Sequence, residues 1–308
     1  MEPARGRGFS RRGTPAASRG FRAPAVPAAL TTLAAAVLFA IPAGTAPVRD
    51  AQALRAEPPA FQVLAPQAAG PDDRLRAIVA LIDRTRARAA APGLSEEERD
   101  ALAELAWAQA DEALEDPSLR ARAQRDPDFL QAQSLLLMDD GEDEAALEVL
   151  ERLLVIAPQD PETHRLLALG FTGLGREQSA IEEYRAALAL GAGAAAELRA
   201  HLAFALAAAG RTEEGLAESE RAIAQDPSAY LGHFVRGLLL GEAGRREEER
   251  REYLEAVQRE RDDADLWEML ARSWEQAGES ARAREAWREV VRIDPSDEEA
   301  VDKAGAQP

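Results

Sequence analysis

The amino-acid sequence predicts an all-α fold, a solenoid in which antiparallel helix pairs are stacked along one axis. Two observations predict it: a glycine recurs at almost constant spacing, and side-chain size recurs at fixed distances from that glycine. The glycines lie 34, 35, 34 and 34 residues apart, at Gly141, Gly175, Gly210, Gly244 and Gly278. A period of this length is typical of a helix–turn–helix unit, which buries its apolar face only against neighbouring units.

Side-chain size marks the buried face of each helix, because packed helices need small residues where their backbones approach closely. Small residues stand seven positions before the glycines, at Ser134, Ala168, Ala203, Gly237 and Ala271. Large residues stand four positions before them, at Leu137, Phe171, Leu206, Leu240 and Trp274. Twelve and thirteen positions after the glycines come apolar pairs, Leu153-Leu154, Ala187-Leu188, Ala222-Ile223, Ala256-Val257 and Val290-Val291. The pattern predicts two helices with facing apolar stripes in every unit.

The glycines predict the turn inside each unit, since a residue without Cβ adopts the left-handed conformation that often ends a helix. Seventeen positions later, a proline stands where the second helix should end, at Pro158, Pro227 and Pro295. Two units have Ala192 and Arg261 at this position instead. The additional residue of the 35-residue spacing is expected in the link around Ala192, which is flanked by two glycines.

This pattern resembles that of the tetratricopeptide repeat family, with its small residue in the first helix, an aromatic three or four residues later, and a terminal proline. The closest matches to the family's turn and second helix begin at Gly175 and Gly278 and read GREQSAIEEYRAAL and GESARAREAWREVV. The resemblance covers roughly residues 127–297 and implies a right-handed superhelix of about five repeats. The sequence departs from the family at Gly215 and Glu249, where alanine is favoured, and at Arg199, where a large apolar residue is usual.

Two further helices are expected upstream of the repeats. One spans Asp72 to Ala90 with a single apolar face, and the next runs from Ser95 to the Asp116-Pro117 pair. They predict a sixth, degenerate hairpin that caps the N-terminal end. Downstream, Ser296 to Ala304 is expected to form a short acidic helix that covers the last repeat incompletely.

The predicted organisation follows from these boundaries. It comprises a signal peptide or membrane anchor (1–46), a flexible linker (47–71), the degenerate hairpin (72–126), five repeats (127–160, 161–195, 196–229, 230–263, 264–297) and a short tail (298–308).

The N-terminal segment predicts a position outside the cytoplasm. The first 22 residues carry six arginines and one acid, and no further charge occurs before Arg49. The apolar stretch Ala28 to Ile41 has 14 residues, the length of a signal peptide and shorter than the about 20 of a spanning helix. Small residues at 43–46 would allow cleavage and release into the periplasm or medium. Alternatively, the uncharged residues 23–48 anchor the chain in a membrane, with the repeats facing outside the cytoplasm.

Charge and cysteine content exclude several classes of function. Without residues 1–46 the chain has 31 basic and 54 acidic residues, a net charge of −23, which disfavours nucleic acid as a partner. The acidity favours basic partners or serves solubility. The absence of cysteine excludes disulfides, thiol catalysis and a lipidated N-terminal cysteine.

No motif predicts catalysis, a cofactor or a metal. The sequence lacks a phosphate-binding loop and a serine–histidine–acid set, and its three histidines have no carboxylates at metal-ligand spacing. The acids at 139–144 lack the spaced oxygen ligands of a calcium loop and are expected in a solvated turn.

The resemblance implies a ligand groove lined by the first helices of the repeats. Six positions before the glycines lie Leu135, Leu169, Phe204 and Leu238, and ten positions before them lie Arg165 and Phe234. These candidates would offer an apolar stripe to an amphipathic helix or extended peptide. The alternative is that neighbouring first helices bury these side chains against each other.

The sequence therefore predicts a non-catalytic protein–protein interaction scaffold that binds a peptide or helix of an unidentified protein. The alternative is a structural component that associates with itself or braces a complex of the cell envelope.

Overall fold

The computed structural model describes residues 70–89, 94 and 96–305, so the leader, nearly all of the linker and Ser95 lie outside the described residues. Within this range the chain forms fourteen α-helices and no strand. They are α1 (Pro71–Ala89), α2 (Glu96–Glu115), α3 (Pro117–Ala123), α4 (Pro127–Asp139), α5 (Asp143–Ile156), α6 (Pro161–Gly173), α7 (Glu177–Ala189), α8 (Ala195–Ala208), α9 (Thr212–Gln225), α10 (Tyr230–Glu242), α11 (Arg246–Arg259), α12 (Ala264–Gln276), α13 (Ser280–Ile293) and α14 (Glu298–Ala304). None of these helices is long and apolar enough to cross a membrane.

The helices pack in sequential order, which confirms the predicted all-α solenoid. Five pairs, α4/α5 through α12/α13, form the repeats, and each pair packs against the next. The hairpin α1/α2 with the short helix α3 precedes them, and α14 packs on α13 at the other end. Each helix therefore contacts mainly its neighbours along the chain, as expected of a repeat array.

The turn glycines adopt the conformation that the sequence predicts. All five have φ between 62° and 74°, in the left-handed region. The residue after each glycine donates its N–H to the carbonyl five positions earlier, for example Arg211 to Leu206 at 2.8 Å. This is the bond that closes a Schellman motif, and its acceptor is the large residue that recurs four positions before the glycine. Gly191, in the longer link, also has a positive φ, of 83°.

The first helices of the third and fourth repeats lack the N-terminal capping side chain that the first helices of the other three repeats carry. Asp126, Asp160 and Asp263 accept hydrogen bonds from first-turn N–H groups of α4, α6 and α12. At the same position before α8 and α10 stand Ala194 and Ala229, and no side chain caps either helix. The first N–H groups of α8 and α10 are therefore left to other acceptors.

The departure at Gly215 has a steric cause. A Cβ there would lie 2.9 Å from the carbonyl oxygen of Ala203 and 3.1 Å from a methyl group of Leu239. Helix α9 thus approaches the backbone of α8 so closely that only glycine fits.

We expect Gly215→Ala to lower the free energy of unfolding by about 1–3 kcal/mol, because the backbone oxygen of Ala203 cannot rotate away as a side chain would. Chemical denaturation measures the loss. Gly193→Ala is the matched control, since a Cβ there meets nothing within 4 Å. Equal stability of the two variants would contradict the close approach of α9 to the backbone of α8 at Gly215.

The departure at Glu249 is matched by a change on the facing helix. Glu249 is 5% exposed and receives hydrogen bonds from Arg246. A Cβ at Gly241 of α10 would lie only 2.7 Å from a Glu249 oxygen. The missing side chain at 241 therefore makes room for the unusually large one at 249.

The two ends of the array are covered in different ways. At the N-terminal end, Arg86 donates two hydrogen bonds to Asp139, at 2.6 and 3.1 Å, and the Trp107 indole donates one to Asp140 at 2.6 Å. The acidic turn, expected to be only solvated, thus also holds the preceding hairpin. At the other end, α14 buries Ala300 and Ala304 against the last repeat.

Helix α8 belongs to two hydrophobic clusters. It is buried on almost all sides, because one set of its residues packs towards the second repeat and another towards the fourth. The first set is Leu198, Leu202, Ala205 and Leu206, and the second is Ala200, Ala203, Phe204 and Ala207.

Candidate binding surface

A contact between a histidine or arginine and a glutamate recurs at one position in the three central repeats. His164 contacts Glu183 at 2.6 Å, Arg199 donates to Glu218 at 2.7 Å, and His233 contacts Glu252 at 2.8 Å. The outer repeats have apolar residues at these positions, Leu130 with Val149 and Trp267 with Ala286. Arg199, which stands where the family usually has a large apolar residue, therefore takes part in a contact between the first and second helix that recurs in three repeats. Among the described residues, no three potential ligand side chains gather to hold a metal.

We expect the pair of His164 and Glu183 to show a coupling energy of about 0.5–3 kcal/mol in a double-mutant cycle. Each single replacement, His164→Leu or Glu183→Val, leaves a largely buried polar partner unpaired. The double variant instead recreates the apolar combination of the first repeat and should recover most of the stability. Additive losses in urea denaturation would show that the two side chains are independent.

The structure places most of the predicted groove residues inside the packing. Leu169, Phe204, Phe234 and Leu238 are only 1%, 3%, 3% and 8% exposed, whereas Leu135 is half-buried. Helices α8 and α10 contact each other directly, and the last three of these buried side chains share one core cluster. This arrangement corresponds to the alternative in which first helices bury the stripe between them.

Arg165 is held by its own helix. Its guanidinium donates two hydrogen bonds to Glu162, at 2.8 and 2.6 Å, and its side chain is 12% exposed. Burial is the largest single effect on the pKa of Arg165 and lowers it, but the hydrogen bonds to Glu162 and the charges of Glu162 and Glu197 together raise it above its usual value. The group therefore stays charged and paired, so it needs no ligand to satisfy it.

A surface pocket of about 740 Å³ opens where α8 and α10 begin and α9 ends. Most of its wall consists of alanine and glycine, and four side chains add polarity: Glu197, Gln225, Asp226 and Tyr230. Its complete lining is Gly193, Ala194, Ala195, Ala196, Glu197, Ala222, Gln225, Asp226, Ala229, Tyr230, Leu231 and Gly232. The pocket thus lies at the two helix ends that lack a capping side chain.

The polar groups of the pocket give it a negative potential. The hydroxyl and backbone N–H of Ser228 hold the pKa of Asp226 below its usual range, so this carboxylate is ionised at neutral pH. Burial raises the pKa of the Tyr230 phenol, and the charges of Asp263, Glu260, Glu197 and Asp265 raise it further. No ion pair is found for Asp226, Asp263 or Asp265 among the described residues.

The resemblance gave no indication of Glu197, Asp226 or Tyr230 as binding residues. A signal was present in the sequence: alanine replaces aspartate before two of the first helices, at Ala194 and Ala229. The longer link around Ala192 is a second signal, because it leads directly into the pocket wall.

Comparisons with known proteins identify the fold. No family model matches the chain, and no curated protein matches it. Among solved structures, TTC0263, a tetratricopeptide-repeat protein of Thermus thermophilus, is 24% identical with a TM-score of 0.51, over 58% of this chain and 98% of that one. PilF of Pseudomonas aeruginosa is 14% identical with a TM-score of 0.55, over 78% and 100%. PilW, described as a type IV pilus biogenesis factor, is 17% identical with a TM-score of 0.51, over 58% and 86%.

Proposed function

We propose that this chain, which has the tetratricopeptide-repeat fold, is a non-catalytic protein–protein interaction scaffold that binds a peptide or helix of a partner along its first helices. The pocket beside α8 and α10 carries the proposal, since its volume of about 740 Å³ lies in the range of ligand sites. The uncapped N–H groups of the same two helices add donors that a peptide backbone can satisfy.

The groove candidates would have two roles in this proposal. Leu169, Phe204, Phe234 and Leu238 form the buried support that keeps neighbouring first helices in place. Leu135, half-buried on α4, remains available for contact. Arg165 shapes the surface through its pair with Glu162.

Photo-cross-linking to peptides selected from an unbiased random library tests the proposal. The photoreactive amino acid benzoylphenylalanine replaces Tyr230 in the purified full chain, and the matched control carries it at Glu220, which is exposed on the second helix α9. We expect the selected peptides to cross-link at 230 and not at 220. Failure to select any peptide, or cross-linking at 220 alone, would contradict binding along the first helices.

The proposal includes export, with the scaffold either released or anchored outside the cytoplasm. The arginine-rich start, the apolar residues 28–41 and the small residues that follow support it. The test is to express the full chain in a bacterium, fractionate the cells and determine the mature N-terminus by mass spectrometry. A start near residues 44–47 outside the cytoplasm means release, and an intact chain in the membrane fraction means anchoring. An intact chain soluble in the cytoplasm would contradict both.

The alternative, a self-associating structural component, is favoured by one observation. Val155 and Ile156 at the end of α5 are 84% and 42% exposed, so two adjacent apolar side chains face solvent. Self-association through them predicts a molar mass in light scattering that rises with concentration and returns to the monomer value in Val155→Arg. A constant monomer mass for the unmodified chain would contradict this alternative.

A further inference from the structure

We propose that the pocket between α8, α9 and α10 binds a basic side chain, arginine or lysine, of an extended protein segment. This inference rests on the proposed scaffold function and specifies the chemistry of its partner. The pocket is apolar inside, with five alanines among its lining residues, and acidic at Glu197 and Asp226. An arginine or lysine matches this division, because its aliphatic stem suits an apolar wall while its charged head needs anionic partners.

The carboxylates of the pocket outweigh the partial positive charges of the two helix N-termini beside them. The N-termini of α8 and α10 contribute roughly half a positive charge each, which by itself would favour an anion. Glu197 and Asp226 each carry a whole negative charge, and the acids around Tyr230 add to them. The sum is therefore negative, and it selects a cationic side chain.

The basic groups near these acids are engaged elsewhere or reach only Glu197. The charge of Arg165 acts on Glu197, but its guanidinium donates to Glu162, and Nε2 of the buried His201 lies 3.7 Å from the Glu197 carboxylate. Asp226 has no ion-pair partner among the described residues. Arg199 donates to Glu218 at 2.7 Å and to Gln225 at 3.0 Å. Arg259 donates to the carbonyl of Pro227 at 2.7 Å and to Glu255 at 2.7 Å. Both partners of Arg259 lie outside the pocket, whereas Arg199 also contacts the lining residue Gln225; neither arginine is itself among the lining residues.

The remaining polar groups fit the backbone of the same segment. The first-turn N–H groups of α8 and α10 have no side-chain acceptor, and carbonyl oxygens of an extended peptide can fill that role. The half-buried ring of Tyr230 offers a face for a cation–π contact with the incoming head group. A volume of about 740 Å³ accommodates several residues, so the basic side chain would enter together with its neighbours.

Nonapeptide pools with a fixed central residue test the inference against the full chain by fluorescence anisotropy. The centre is arginine, lysine, citrulline or glutamate, and the other positions are random. Citrulline has nearly the shape of arginine without its charge. We expect the two basic pools to bind at least about tenfold more tightly than the citrulline pool, because a charge-assisted contact is lost. Equal binding of the arginine and citrulline pools, or preference for glutamate, would overturn the inference.

Variants of the chain locate the effect. Glu197→Gln should weaken binding of the arginine pool about tenfold and leave the citrulline pool unchanged. Glu220→Gln makes the same charge change at an exposed position of α9 outside the pocket and should have no effect. Thermal melting of each variant verifies the fold. If peptides bind along the first helices but Glu197→Gln has no effect, the basic-side-chain inference fails while the scaffold function stands.

Discussion

Trp287→Ala should lower the free energy of unfolding by about 3–5 kcal/mol, the usual cost of truncating a fully buried tryptophan. The Trp287 ring is 1% exposed, and its indole donates to Glu275 at 3.2 Å. Arg272 and Lys303 lie over the ring, at 5.7 and 6.0 Å from its centre. The ring thus holds together both helices of the last repeat and α14.

The loss at Trp287 should be local. In a repeat array each unit is stabilised mainly by its neighbours, so the terminal repeat can unfold before the others. Hydrogen exchange followed by mass spectrometry should show lost protection in α12–α14 and retained protection in α4–α7. Trp267→Ala serves as control. Trp267 lies in the same repeat but is half-buried, so its truncation should lower the free energy of unfolding by less. Uniform loss of protection along the whole chain would contradict local unfolding.

Phe204→Ala should cost about 3–5 kcal/mol as well, but its effect should spread to both halves of the array. Phe204 is 3% exposed on α8, the helix that contributes to two hydrophobic clusters. Loss of its ring loosens the contact with α10 and, through α8 itself, the packing towards the second repeat. Hydrogen exchange should therefore accelerate in α8 and α10 first, and the cooperativity of urea denaturation should fall.

Leu254→Ala provides the control for Phe204. Leu254 is 37% exposed on α11, and its truncation should change stability by no more than about 0.5 kcal/mol. If Phe204→Ala were equally mild, the ring would not be required for packing. It would then be available to a ligand, as the resemblance implies for the groove.

The turns could be predicted from the sequence because they depend on local chemistry. A residue in the left-handed conformation at a helix end is usually glycine. The five recurring glycines from Gly141 to Gly278 therefore predicted the turns without knowledge of any distant contact. The recurring small and large residues likewise follow from packing between adjacent helices, which a repeat period records directly.

The state of the groove could not be predicted in the same way. Periodicity indicates which face of a first helix Phe204 and Phe234 occupy, but not how far that face lies from the next first helix. That separation depends on the sum of several contacts, among them the close approach at Gly215 and the small residues of α8 and α10. Because many side chains together determine the distance between neighbouring first helices, no single sequence motif predicts it.

The sequence contained a sign of the pocket's position but not of its acidic residues. Its acidic residues Glu197 and Asp226 come from different ends of the third repeat, and only folding brings them to one opening. The absence of aspartate at 194 and 229 was the local sign, because a missing cap leaves backbone donors in need of an acceptor.

The size exchange between Gly241 and Glu249 limits how this protein can be redesigned. A consensus strategy treats each column of a repeat alignment as independent: it would place alanine at 249, where the family favours it, and would replace the glycine at 241 without regard to 249. Alanine at 241 alone would force the Glu249 carboxylate to move, and alanine at 249 alone would leave Arg246 without its partner and a void beside Gly241. The two sites therefore form one epistatic unit, and a library that varies them jointly should contain stable members that stepwise substitution never reaches.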